Sequence, residues 1–122
     1  MFEGIAEKAM NFYVSLFNGS EITQVERYGP GEPGAEGTVK VATFTLSGRE
    51  FICIDSPINH EFTFTPSISL FVDCESEAEI EEVFSRLSTG GQVLMPLDNY
   101  GFSTKFGWVK DRFGPSWQLN LS

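Results

Sequence analysis

Val109-Lys110-Asp111-Arg112-Phe113-Gly114-Pro115-Ser116-Trp117-Gln118-Leu119-Asn120-Leu121 decides the fold. It reads as strand, tight turn, strand, with Gly114 supplying the positive φ that such turns need. From Ser116 onward polar and apolar residues alternate: Ser116, Gln118 and Asn120 share one face, Trp117, Leu119 and Leu121 the other. Period-two alternation describes a strand with one dry face and one polar face. The polar face meets solvent or, if the sheet curls, lines a cavity. Trp117, opposite Gln118, is expected as core beneath a helix.

The first half of the chain ends in the same way, with Leu46-Ser47-Gly48-Arg49-Glu50-Phe51-Ile52-Cys53-Ile54-Asp55. Registering Gly48 on Gly114 places Phe51 on Trp117, Ile52 on Gln118 and Ile54 on Asn120. The chain is therefore expected to use one unit twice. Residues 5–17 carry Ile5, Ala9, Phe12 and Leu16 at helical spacing, stopped by Asn18-Gly19. Strand-like runs follow at 22–28, 39–46 and 50–55. In the second half, a strand at 67–73 precedes the clearest helix, 76–88, in which Ser76 and Glu79 form a capping box and Ile80, Val83, Phe84 and Leu87 form the dry stripe. Strands at 92–97, 104–110 and 116–121 complete the unit. Neither unit can bury both its helix stripe and its sheet face alone.

At 122 residues the chain is one domain by size, long enough to bury roughly 65% of its unfolded surface. A net charge of −9 and the absence of clustered Lys and Arg argue against nucleic acid, and leave a mild bias toward neutral or cationic ligands. No apolar run approaches the ~20 residues of a membrane span. No basic segment followed by an apolar one opens the chain, so no secretion leader is expected and the location is read as cytoplasmic. Cys53 and Cys74 read as buried free thiols of a reducing compartment, neither with a His or Cys at metal-ligand spacing.

Gly29-Pro30-Gly31-Glu32-Pro33-Gly34 has the letters of a dinucleotide loop, but such a loop must open a helix so that amides meet the pyrophosphate. A β-branched run follows it, and two prolines remove donors. It is expected to be a mobile hairpin loop, a candidate flap. The single histidine, His60, sits in a proline-flanked connector, where a surface or hydrogen-bonding role is expected; no nucleophile–His–acid set is visible.

A doubled β-α-β-β-β unit ending in D-x-x-G-x-x-W-x-L resembles the vicinal oxygen chelate superfamily of glyoxalase I, bleomycin-resistance proteins and extradiol dioxygenases. Three details are similar to its PhnB-like branch, often labelled 3-demethylubiquinone 3-methyltransferase-like. They are Phe2-Glu3-Gly4 running into Ala9-Met10-Asn11-Phe12-Tyr13, the segment from Asn59-His60 to Phe71, and Asp111-Arg112-Phe113-Gly114 with Trp117. The resemblance implies an α+β fold in which two units form a curved mixed sheet, an incomplete barrel with helices outside and the first strand short or missing. The single domain 1–122 would divide into a first unit 1–56, a connector 57–65 and a second unit 66–122. In the superfamily's enzymes a divalent metal is held by inward residues of four strands. Those positions fall here on Gln118, Ile52 and Ser67, with the fourth before Met1, so no metal and no cofactor are expected. A methyltransferase of the usual kind needs a Rossmann-like sheet with a glycine loop for S-adenosylmethionine, for which the chain has neither length nor strand order.

With the sheet curled, alternation turns Ser67, Ser69, Phe71, Gln118 and Asn120 inward, with Phe106 and Trp108 beside them. This mixture of rings, amides and hydroxyls suits a small-molecule pocket, although the Phe residues would equally serve as barrel filling. The first expectation is a metal-free binding protein for an aromatic or apolar ligand, acting as a homodimer because a short first strand leaves an exposed edge. The alternatives are a divalent-metal lyase, isomerase or dioxygenase of the glyoxalase type using Gln118 and His60, and an enzyme modifying a quinone-like ring.

Overall fold

The computed structural model describes residues 1–122. In chain order the elements are α1 (Ala6–Leu16), β1 (Glu21–Arg27), β2 (Val39–Leu46), β3 (Arg49–Cys53), β4 (Ser69–Asp73), α2 (Glu77–Ser88), β5 (Gln92–Asp98), β6 (Lys105–Lys110) and β7 (Ser116–Leu121). The chain forms two compact units, Met1–Glu61 and Phe62–Ser122. Each holds one helix and its own mixed sheet, ordered β1-β2-β3 in the first and β4-β7-β6-β5 in the second. Neither sheet closes into a barrel. The α+β class expected from the sequence holds.

The repeat is visible in backbone hydrogen bonds. In the second unit β4 runs parallel to β7, and Cys74 N donates to Asn120 O at 2.7 Å. In the first unit a strand that would match β4 is reduced to one parallel bridge, Phe2 to Asp55, with Phe2 N donating to Ile54 O at 2.8 Å. Since Ile54 falls on Asn120 in the glycine register, Phe2 and Cys74 are equivalent points. The first strand is short, as expected.

Turn chemistry follows the sequence. Ser47 and Gly48 have φ of 49° and 86°, the primed geometry that joins the paired Leu46 and Arg49 in a two-residue hairpin. Gly114 has φ of 119°, and a Cβ there would stand 2.6 Å from Phe64 Cδ2, so both conformation and packing demand glycine.

The helix phases are partly as expected. On α2, Ile80, Val83 and Leu87 are buried. Ser76 Oγ accepts from Glu79 N at 3.1 Å, while Glu79 Oε1 accepts from Glu75 N at 2.8 Å, one residue earlier than a capping box requires. On α1 the buried set is Ala6, Ala9, Met10, Tyr13 and Leu16, whereas Ile5 is exposed and Phe12 half-buried. Both stripes obey helical spacing; the alanines win because their small side chains let the helix lie close on β2. Ile5 provides no side-chain cap. Buried Asp55 does that work from the end of the sheet: Oδ1 accepts from Gly4 N at 2.7 Å and Ala6 N at 3.0 Å, and Oδ2 from Val39 N at 3.0 Å. A carboxylate at a helix start satisfies orphan amides and complements the dipole.

The loop between β1 and β2 opens no helix, which removes the dinucleotide reading. Nor does its bonding support the reading as a free flap. Gly37 N donates to Tyr28 O and Tyr28 N to Thr38 O. Glu32 accepts from Gly29 N at 2.7 Å and pairs with Lys40 at 2.6 Å, while the Tyr28 ring lies against Gly34.

Candidate functional site

The second sheet buries one face beneath α2 and leaves the other open. Trp117, Leu119 and Val109 are buried on the α2 side. On the opposite face three cross-strand rows run through β4, β7, β6 and β5. They are Ser69–Ser116–Lys110–Gln92, Phe71–Gln118–Trp108–Met95 and Asp73–Asn120–Phe106–Asp98. Residues directly opposite in paired strands project from the same face. Six of the seven residues singled out from the sequence, Ser69, Phe71, Phe106, Trp108, Gln118 and Asn120, therefore share this open face. Ser67 does not extend it. The strand begins two residues later than expected, because Thr65 Oγ1 bonds the Ser67 hydroxyl at 3.0 Å and accepts from Ser67 N at 3.3 Å, holding Ser67 in an exposed turn.

The middle row carries the geometry. Phe71 is 58% exposed, Trp108 and Gln118 are half-buried, and Gln118 is the strand neighbour of both Phe71 and Trp108. The Trp108 indole is fixed, donating Nε1–H to Ser69 Oγ at 3.1 Å, and Ser69 bonds Ser116 Oγ at 2.7 Å. Phe106 is buried. Its ring meets Phe71 at 6.5 Å, Phe102 at 5.0 Å and Tyr100 at 6.2 Å between centroids. Tyr100 and Phe102 come from the β5–β6 loop and were missed by the sequence reading, since a loop has no periodicity to assign a face. Their only sequence signal is two aromatic residues flanking Gly101 in a polar turn.

The motif that marks the C-terminal hairpin is structural. Asp111 is buried, with Oδ1 accepting from Phe113 N at 2.7 Å and Gly114 N at 3.1 Å. Its Oδ2 accepts from Trp117 Nε1 at 2.7 Å. Asp111 therefore staples the turn to the core tryptophan. Both cysteines are buried and free, and burial pushes the Cys53 thiol up to about 11 and the Cys74 thiol to about 12. Such thiols are neither nucleophiles nor metal ligands at neutral pH. His60 Nε2 bonds Ser56 Oγ at 2.8 Å, and its backbone N–H donates to Glu3 at 3.4 Å, a hydrogen-bonding role within the first unit.

The residues do not fit the divalent metal of the fold's enzymes. Gln118 offers an amide, Ser67 a hydroxyl engaged with Thr65, and Ile52 no donor atom. No three His, Cys, Asp or Glu side chains stand together as a metal site would need.

A family profile described as 3-demethylubiquinone-9 3-methyltransferase matches residues 1–120. The chain belongs to that family. A PhnB protein of Bacillus cereus is 61% identical to this member, with a TM-score of 0.98 over 100% of this chain and 95% of that one. A protein of Pseudomonas aeruginosa is 26% identical, with a TM-score of 0.84 over 99% and 92% of the two chains. A glyoxalase-related enzyme of Fulvimarina pelagi shares the fold, with a TM-score of 0.59 at 18% identity over 100% and 84%. No curated protein matches the chain. The fold is that of the glyoxalase-like vicinal oxygen chelate proteins, in a PhnB-like member of the methyltransferase-named family.

The strand-to-helix turn of the second unit is not the glycine loop that a Rossmann-like methyltransferase uses. The turn that leads from β4 into α2, Cys74-Glu75-Ser76, has no glycine and carries an acidic residue. Two amides there are already engaged, Glu79 N by Ser76 Oγ and Glu75 N by Glu79 Oε1. The glycine-rich loop lies between antiparallel β1 and β2 instead.

Proposed function

We propose that this protein binds a small aromatic molecule on the open face of the β4-β7-β6-β5 sheet, without a metal, as a cytoplasmic homodimer. One observation carries the binding reading: the Phe71–Gln118–Trp108 row makes Gln118 the strand neighbour of both rings, with Phe71 58% exposed and Trp108 fixed by Ser69. A flat ligand laid on that row gains ring contacts from both sides and a hydrogen bond from Gln118, the usual pairing of apolar walls with a few orienting polar groups. The donor set at Gln118, Ser67 and Ile52 supports a metal-free site. Dimer formation is supported by β3, which pairs with β2 along Arg49–Cys53 but has only the Phe2 bridge beyond its end.

Calorimetric titration at pH 8 with 4-methylquinoline, a neutral two-ring probe, tests the reading. Phe71→Ala and Trp108→Ala should each weaken binding by about tenfold, and EDTA should change nothing. Binding that survives both substitutions, or that requires an added divalent metal, overturns the proposal. Light scattering during size exclusion at micromolar concentration should give twice the chain mass; a monomer would remove the dimer.

A further inference from the structure

The open face is electrically polarised along the strands. At one end stand Tyr100, Phe102 and Phe106, with Tyr100 and Phe102 stacked at 6.4 Å and 17° and Phe102 64% exposed. Their loop is held before any ligand arrives. Tyr100 Oη donates to Pro96 O at 2.6 Å, Asn99 Oδ1 accepts from Gly101 N at 2.8 Å, and Asp98 Oδ1 accepts from Asn99 N at 2.8 Å. Asp98 lies directly opposite Phe106 in β5, and Asp73 ends the same row through Asn120. Neither carboxylate has a Lys or Arg partner: Lys105 turns to Glu77 and Glu81 of α2, and Lys40 and Arg27 pair within the first unit. The cation of this face is Lys110, four residues along β6 from Phe106, about 13 Å away. Exposed ring faces carry a negative quadrupole that attracts cations, and two carboxylates without a cationic partner flank them, Asp73 accepting only the Asn120 amide at 3.0 Å.

We propose that the ligand of this face is a planar aromatic cation, seated with its positive end against Phe102 and Asp98 and its apolar end toward Phe71 and Trp108. This rests on the aromatic-ligand reading above and adds the charge and orientation of the molecule. The chain's net charge of −9 favours the same sign at longer range.

The test compares N-methylquinolinium with neutral 4-methylquinoline at pH 8 and low salt, both by calorimetry. The cation should bind about fivefold more tightly, and that preference should shrink as salt is added. Phe102→Leu, which keeps apolar area but removes the ring, and Asp98→Asn should each bring the two probes within about twofold, with circular dichroism unchanged because both positions are exposed. Equal affinities in the wild type, or a cation preference untouched by either substitution, overturns the cationic assignment. In either case a neutral probe still lost in Phe71→Ala leaves the aromatic site standing. Binding of neither probe overturns both readings.

Discussion

Asp111→Asn should destabilise the second unit by about 3 kcal/mol, and the structure says where the loss arises. The carboxylate accepts from Phe113 N, Gly114 N and Trp117 Nε1, the last at 2.7 Å to an indole that is 1% exposed. An asparagine can keep its one oxygen on the two backbone donors. Its amide N–H2 then faces the indole N–H, donor against donor. A hydrogen bond to a charged group is worth roughly 1.5–3 kcal/mol, and a stranded buried donor costs roughly 1–3 kcal/mol; both describe the same indole N–H, so the two overlap and the total lies at the low end of their sum, about 3 kcal/mol. At ~4 °C per kcal/mol for a domain of this size, Tm falls by about 12 °C. The decisive comparison uses Trp117→Phe, which removes the donor and itself costs roughly 1–3 kcal/mol in lost packing. In that background Asp111→Asn should cost only about 1 kcal/mol, a coupling of about 2. Urea unfolding followed by far-ultraviolet circular dichroism reads all four proteins without relying on Trp117 emission. A cost below ~0.5 kcal/mol, or an equal cost in both backgrounds, would refute the staple.

Two further outcomes follow from other parts of the fold. Gly114→Ala should cost roughly 2–4 kcal/mol, because strain at φ 119° adds to a Cβ 2.6 Å from the Phe64 ring, whereas Gly37→Ala, at φ 87° with nothing within 4 Å, should cost only about 1; equal denaturation midpoints for the two would remove Phe64 from the account. The thiols should give an alkaline signature. Each folded thiol holds its proton to about pH 11 (Cys53) or 12 (Cys74), above its ordinary 9.0, so this contribution to stability is complete below pH 9 and is lost as pH rises from there through about 11 and 12. The Cys53→Ala/Cys74→Ala double variant should flatten that slope, and a thiol reagent at pH 8 should label the native protein slowly and two thiols rapidly in urea. Fast labelling of the native protein would contradict the burial.

Strand alternation is legible because one face of each strand is dry, which leaves Gln118, Asn120, Phe71 and Trp108 together on the other. The repeat was legible for a related reason, since Gly48 and Gly114 mark the same turn in two copies. What escaped the sequence were features without a period. The α1 stripe fell one residue out of phase because Ala6 reads as neutral beside Ile5, and closeness to β2 rewards the smaller side chain. Asp55 looked like a strand end, yet it caps a helix 49 residues earlier in the chain. Asp111 reads as turn chemistry alone, because no spacing rule ties it to the partner that gives it weight, the N–H of the buried Trp117 indole. Tyr100 and Phe102 had no pattern to place them at all.

The two copies of the unit have not kept the same capacity. Gln118 lies between Phe71 and Trp108, but its counterpart Ile52 lies beside Thr43 and then Gln24, a row with no ring and no charge. The difference begins with a strand. In the second unit β4 adds Ser69, Phe71 and Asp73 to the row ends, whereas the matching edge of the first carries the Phe2 bridge to Asp55. The first also has no counterpart of the aromatic β5–β6 loop, for its own β1–β2 connection is spent on the Tyr28, Glu32 and Lys40 contacts that tie it down. Unit one invests its one buried carboxylate, Asp55, in holding its helix and strands together. Unit two has a buried carboxylate for the same purpose, Asp111, and leaves Asp73 and Asp98 on the open face without cationic partners. The rings of Phe71, Phe102 and Trp108 and the carboxylates of Asp73 and Asp98 thus gather on one side of the second unit's sheet, while the row of Ile52, Thr43 and Gln24 in the first has neither ring nor carboxylate.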